Sequence, residues 1–159
     1  MEGRTLVKAK NAAIGLLARR EHSEKELTLK LSKKFECEIV RETISVLRER
    51  GDLCDRRFAE MLVRSRFNRG FGPSYISKEL RFKGVNPDLG KECLDIFDGQ
   101  WHQKAEELLQ KKRSQKVQLR DSEEEDGEFL VVSKTADDKL KRFLFGRGFP
   151  SEIVYKLFQ

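Results

Sequence analysis

The stretch "GDLCDRRFAEMLVRSRFNRGFGPSYISKEL", residues 51–80, sets Arg56, Arg57, Arg64, Arg66 and Arg69 beside Phe58, Phe67, Phe71 and Tyr75, with a Gly-Pro break between. Two explanations compete for so much guanidinium next to apolar surface: the ordinary polar side of a buried helix, or a surface that reads something acidic. The helical period comes first. Phe58, Met61, Leu62 and Ser65 share one side of a long helix, and "GFGP" breaks it. Pro73 then opens a second helix carrying Ile76 and Leu80, which Lys83-Gly84 stops, and Leu89, Cys93, Leu94 and Phe97 mark a third.

The same phrase stands on either side. Upstream, Leu6, Ala9, Ala13, Leu16 and Leu17 give a helix over 5–20. Ser23 of "SEKE" then caps a second helix, with Glu26 reaching back and Leu27, Leu31 and Phe35 at four-residue steps. Val40, Ile44 and Leu47 form a third helix that Gly51 ends, because glycine enters the left-handed cap conformation without strain. Downstream, Trp101, Ala105, Leu108 and Leu109 open a looser copy. Leu140 and Leu144 lead into "GRGFP", and Ile153, Val154, Leu157 and Phe158 close it. Leu27, Leu31 and Phe35 superpose on Ile76, Leu80 and Gly84, and on Leu140, Leu144 and Gly148, at offsets of 49 and then 64 residues. An insertion near 113–136, holding the acidic run and "FLVV" (129–132), accounts for the larger offset. "FLVV" reads equally as a short strand or an anchored loop.

The expected fold is therefore all-α: three tandem three-helix repeats, over 1–51, 52–99 and 100–159, stacked into an elongated molecule. A charged fraction of 38% suits small units in series better than one deep core.

Charge points to the partner class. The chain has 33 basic and 27 acidic residues, net +6, but six of the acids lie in "DSEEEDGE" (121–128), and the remaining 21 leave the rest of the chain at +12. That remainder favours a polyanion, or the acidic surface of a protein that handles one; a solvated surface with no such partner is the plain alternative. The acidic run itself reads as a solvated loop or as a segment that folds back on the basic surface. No apolar run approaches the ~18 residues of a membrane span, so a soluble, cytoplasmic protein is expected. Cys37, Cys54 and Cys93 are widely spaced without a C-x-x-C pair, and His22 and His102 share no helical face, so no metal is expected. No nucleophile elbow, phosphate-binding glycine loop or dinucleotide fingerprint occurs, which argues against catalysis and cofactors.

"REHSEKELTLKL" (20–31), "GDLCDRRFAEMLVRSR" (51–66), "GFGPSYISKELRFKGV" (70–85) and "LFGRGFPSEIV" (144–154) resemble the RecX regulators of the bacterial RecA recombinase. The resemblance implies three three-helix units in a curved molecule. It also implies a regulator that binds the RecA filament on DNA and suppresses ATP hydrolysis and strand exchange without catalysis of its own; a monomer is expected. The family's pattern has two aspartates before R-R-F; here the first is Cys54, which leaves Asp52 or Asp55, or a weaker cap, to begin that helix.

At about 100° per residue, Arg56, Glu60, Val63, Arg64 and Phe67 fall opposite Phe58 and Leu62, with Arg57 on the flank. An outward Phe67 among Arg57 and Arg64 is the composition of an interaction face, which Lys78 and Arg81 of the next helix could continue. The competing reading is that a neighbouring unit covers this side. Guanidinium suits phosphate and carboxylate alike, so single- or double-stranded DNA and an acidic patch on RecA both remain partners, as does a purely protein-binding helical adaptor.

Overall fold

The computed structural model describes residues 2–120 and 129–159. The acidic run 121–128 lies outside them. Among the described residues there are nine helices and no strand. They form three sets of three: α1 (Glu2–Leu17), α2 (Glu24–Leu31), α3 (Cys37–Glu49); α4 (Asp55–Asn68), α5 (Pro73–Phe82), α6 (Pro87–Asp95); α7 (Gln100–Arg120), α8 (Phe129–Gly146), α9 (Ser151–Lys156). None of these helices is long and apolar enough to cross a membrane. "FLVV" is neither strand nor loop but the first turn of α8. Its β-branched composition is overridden by continuity with the helix that carries Leu140 and Leu144. Much of the sequence expected as an insertion is likewise helical: α7 has 21 residues and α8 has 18, against 14 and 10 for α4 and α5.

The chain divides into two compact units, Met1–Arg64 with Lys78–Cys93, and Ser65–Ser77 with Leu94–Gln159. In the first, α1 lies on α2 and α3. Ala13, Leu27, Leu31, Val40, Ile44, Leu47 and Leu53 form its core, with Leu16, Leu17 and Phe35 at the edge. Ser23, in extended conformation, accepts the Glu26 amide at 3.1 Å and so satisfies a donor the first turn of α2 leaves free. In the second unit α7 lies on α8 and α9, around buried Trp101, Ala105, Leu109, Leu144, Phe149 and Val154. Phe158 sits between Arg113 and Lys141, 5.6 and 5.2 Å from its ring centre.

Each unit contains the same helix-to-helix junction. In the first, Ser23 Oγ donates to the Lys83 carbonyl at 2.7 Å, where α5 ends. In the second, the Gly72 N–H donates to the Arg147 carbonyl at 2.7 Å, where α8 ends, and the Ser74 N–H reaches the Gly148 carbonyl at 3.1 Å. Ser23 to Gly72 is 49 residues and Lys83 to Arg147 is 64, the two offsets of the repeat. The junction lets donors at one helix start meet carbonyls left open at another helix end, with the two helix dipoles head to tail. Both receiving ends close alike. Gly84 (φ +82°) and Gly148 (φ +89°) take the left-handed conformation, and Val85 and Phe149 turn inward, their N–H groups returning to Leu80 and Leu144.

Candidate functional site

On the side of α4 expected to point outward, Val63 is buried and Phe67 half-buried, whereas Arg56, Arg57 and Arg64 are exposed. Phe58, Ala59, Leu62 and Val63 are all buried, an arc of about 140° at 100° per residue, and Phe67 lies at its edge. Val63 is fully buried. Phe67 is half-buried, its ring 4.5 Å from that of Phe97 and 5.2 Å from that of Trp101, with Lys104 Nζ 5.1 Å from its centre. The outward reading of Phe67 is thus corrected: the apolar stripe of α4 is wider than a single row, because Ala59 and Val63 extend it toward Phe67.

The arginines separate by what they touch. Arg56 pairs with Glu92 at 2.8 Å. Arg57 Nε bonds Glu21 at 2.9 Å, and its terminal nitrogen donates to the carbonyls of Gly51 and Asp52 at 2.8 and 3.2 Å. It therefore ties down the turn between α3 and α4. Arg64 is exposed and has no hydrogen-bond or ion-pair partner among the described residues. Lys78 and Arg81 share that condition on α5. They lie three residues apart, on the side opposite buried Ile76 and Leu80. Of the cations singled out from the sequence on α4 and α5, Arg64, Lys78 and Arg81 are therefore the ones left open.

The head of α2 holds an ionic network that the residue pattern did not disclose. Glu26 does not return to its own helix start as a capping box would require. Its carboxylate instead takes two bonds from Arg20, at 2.8 and 3.0 Å, and one from Lys83 at 3.2 Å. These bonds hold its carboxyl at about 2. The Asp55 carboxylate accepts the Glu24 amide at 2.8 Å, so it serves the start of α2 while Cys54 stands at the cap position of α4. Buried His22 is bonded at both nitrogens, Nδ1 to the Arg20 carbonyl and Nε2 to Lys30 Nζ, each at 2.9 Å. An ammonium can only donate, so Nε2 accepts and Nδ1 carries the proton.

These features are placed on a known scaffold by comparison. A description of the second three-helix domain of RecX matches residues 55–94, and one of the first matches residues 9–47. The regulatory protein RecX of Legionella pneumophila is 32% identical over 155 residues, spanning 97% of this chain and 95% of that one. The chain belongs to the RecX family. The regulatory protein RecX of Stenotrophomonas maltophilia is 41% identical over 101 residues, 63% of this chain, and the match spans 62% of that protein's length. The crystal structure of RecX from Lactobacillus salivarius superposes with a TM-score of 0.79 over 99% of this chain and 96% of that one, at 22% identity, which establishes the fold. The two matched RecX domains take in α2, α4, α5 and most of α3, and hence Arg57, Arg64, Phe67, Lys78 and Arg81. Among the described residues no group of three His, Cys, Asp or Glu side chains could hold a metal ion.

Proposed function

We propose that this RecX-family chain regulates the RecA recombinase by binding the filament that RecA forms on DNA. In this reading it inhibits ATP hydrolysis, strand exchange and coprotease activity, performs no chemistry itself, and works as a cytoplasmic monomer built from repeats over 1–51, 52–99 and 100–159. The observation that carries the reading is the division of the cations. Arg56 and Arg57 are spent within the fold, whereas Arg64, Lys78 and Arg81 are exposed without partners among the described residues. Cations left open in this way are available to carboxylates or phosphates of a second molecule. Phe67, half-buried against Phe97 and Trp101, is kept as a partner contact only through its remaining exposed edge.

The test is RecA-dependent ATP hydrolysis on single-stranded DNA with increasing amounts of the chain. Suppression that saturates is the expected result, and an unchanged rate at saturation overturns the reading. A basic helical module that binds DNA without RecA is the alternative, favoured by the +12 balance outside residues 121–128. Its signature is tight binding to naked DNA that weakens steeply with salt.

A further inference from the structure

Phe82, at 75% exposed, is the most open of the large apolar side chains described. It ends α5 on the same side as Lys78 and Arg81; at about 100° per residue the three fall within about 100° of one another. Lys25 of α2 reaches across to it, with Nζ 3.0 Å from the Phe82 carbonyl and 5.5 Å from the ring centre. One turn further along α2 stands Leu29, 59% exposed, on the side away from buried Leu27 and Leu31. Two large apolar groups are thus left open in the first unit, Phe82 beside Lys78 and Arg81, which have no partner among the described residues, and Leu29 one turn from the Lys25 that reaches Phe82. Neither Phe82 nor Leu29 contributes to the core.

We propose that Phe82 and Leu29 are the apolar anchors of a protein-docking surface, and that its occupant is a segment of the recombinase filament presenting an apolar side chain flanked by carboxylates. The inference rests on the function proposed above and names the residues and the chemistry of contact. Charge complementarity selects the carboxylates, since Lys78 and Arg81 stand beside Phe82 on α5 and have nothing within the described fold to neutralise them. A protein occupant is favoured over single-stranded nucleic acid because the patch offers one ring. Successive bases need successive stacking faces, and an aliphatic Leu29 supplies none. An aromatic anchor beside an aliphatic one with a cationic rim instead matches the centre and edge of a protein interface.

Binding of the parent chain and of Phe82→Ala, Leu29→Ala and Lys78→Glu/Arg81→Glu is measured on single-stranded DNA coated with RecA and on the same DNA naked. The expected result is a loss of about tenfold or more on coated DNA for each variant, and naked-DNA binding unchanged for Phe82→Ala and Leu29→Ala. Melting temperatures and helicity stay at the parent values, since both apolar groups are exposed; Phe82→Leu, which keeps the bulk, recovers part of the affinity. Phe82→Ala and Leu29→Ala variants that bind coated DNA like the parent overturn the anchors while leaving the proposed function standing. An equal loss on naked DNA assigns the patch to nucleic acid instead. A parent chain that does not bind coated DNA removes the proposed function, and this inference with it.

Discussion

Protonating Glu26 takes an acceptor away from both Arg20 and Lys83, so the residue gives this fold a defined response to acid. Bonds from Arg20, and then Lys83, hold its carboxyl at about 2 against an ordinary 4.5, in opposition to burial. A depressed carboxyl contributes stability that is complete above pH 4.5 and is lost as pH falls toward 2. His22 acts in the same direction at higher pH. Burial lowers its proton affinity, helped by the charges of Arg20 and Lys30 and opposed by the bond to the Arg20 carbonyl. The unfolded chain then binds the proton more readily than the folded one, and stability begins to fall as pH drops below 6.5. Glu26→Gln should cost about 2 kcal/mol at pH 7, a figure discounted because Arg20 is half exposed, and the deficit should shrink toward pH 2. His22→Gln should flatten the dependence of melting temperature on pH between 6.5 and 5. Thermal melts from pH 7 down to pH 2 check both, and parallel curves for parent and variant would dismiss the assignment. At the start of α4, Cys54→Asp places an acceptor at the cap position and should stabilise the chain by about 0.5–1 kcal/mol in denaturant titrations.

The helices are held as much by their ends as by their faces, and the repeated junction makes this testable. Gly51 (φ +75°) and Gly148 (φ +89°) both require the left-handed conformation, but a Cβ on Gly51 meets nothing within 4 Å, whereas one on Gly148 runs into the backbone and Cβ of Tyr75. Gly51→Ala should therefore cost only the conformational strain, about 1–2 kcal/mol, and Gly148→Ala distinctly more, because the head of α5 must move off the end of α8. Equal losses would show that the junction adjusts freely. Within the faces, Leu31, Leu80 and Leu144 are at most 2% exposed at positions related by the offsets of 49 and 64. Replacing any one by alanine should cost about 2–5 kcal/mol. These positions were legible because i, i+4 leucines and glycine stops recur as a set, whereas single helices offer no such cross-check. The helix over 129–132 was not legible. Four apolar residues with two valines carry no period, and helix formation there follows from the neighbouring turns of α8.

For the whole molecule, the question is which basic residues remain for a partner, and the pattern alone could not answer it. Arg57 and Arg64 lie seven residues apart on one side of α4 and look alike in the sequence, yet only one is held by Glu21 and two carbonyls, through bonds set by a turn the periodicity does not specify. Phe67 was not legible either, because a helix buried over about half its circumference hides residues that a one-row reading turns outward. Charge reversal separates the roles. Arg64→Glu with Lys78→Glu and Arg81→Glu changes exposed side chains and should leave stability within about 0.5 kcal/mol per site, while suppression of RecA-dependent ATP hydrolysis falls by tenfold or more in effective concentration. Arg57→Glu sets two carboxylates against each other at Glu21 and frees the Gly51 and Asp52 carbonyls, so it should lower the melting temperature first and affect inhibition only through the fold. Salt dependence then distinguishes the partners. If the open cations meet phosphates, the triple variant lowers the slope of log affinity against log salt on naked DNA by about 0.7–0.9 for each phosphate no longer neutralised. If they meet carboxylates on the filament, that slope stays at the parent value while binding to coated DNA fails. A triple variant that inhibits like the parent would place the regulatory surface away from α4 and α5.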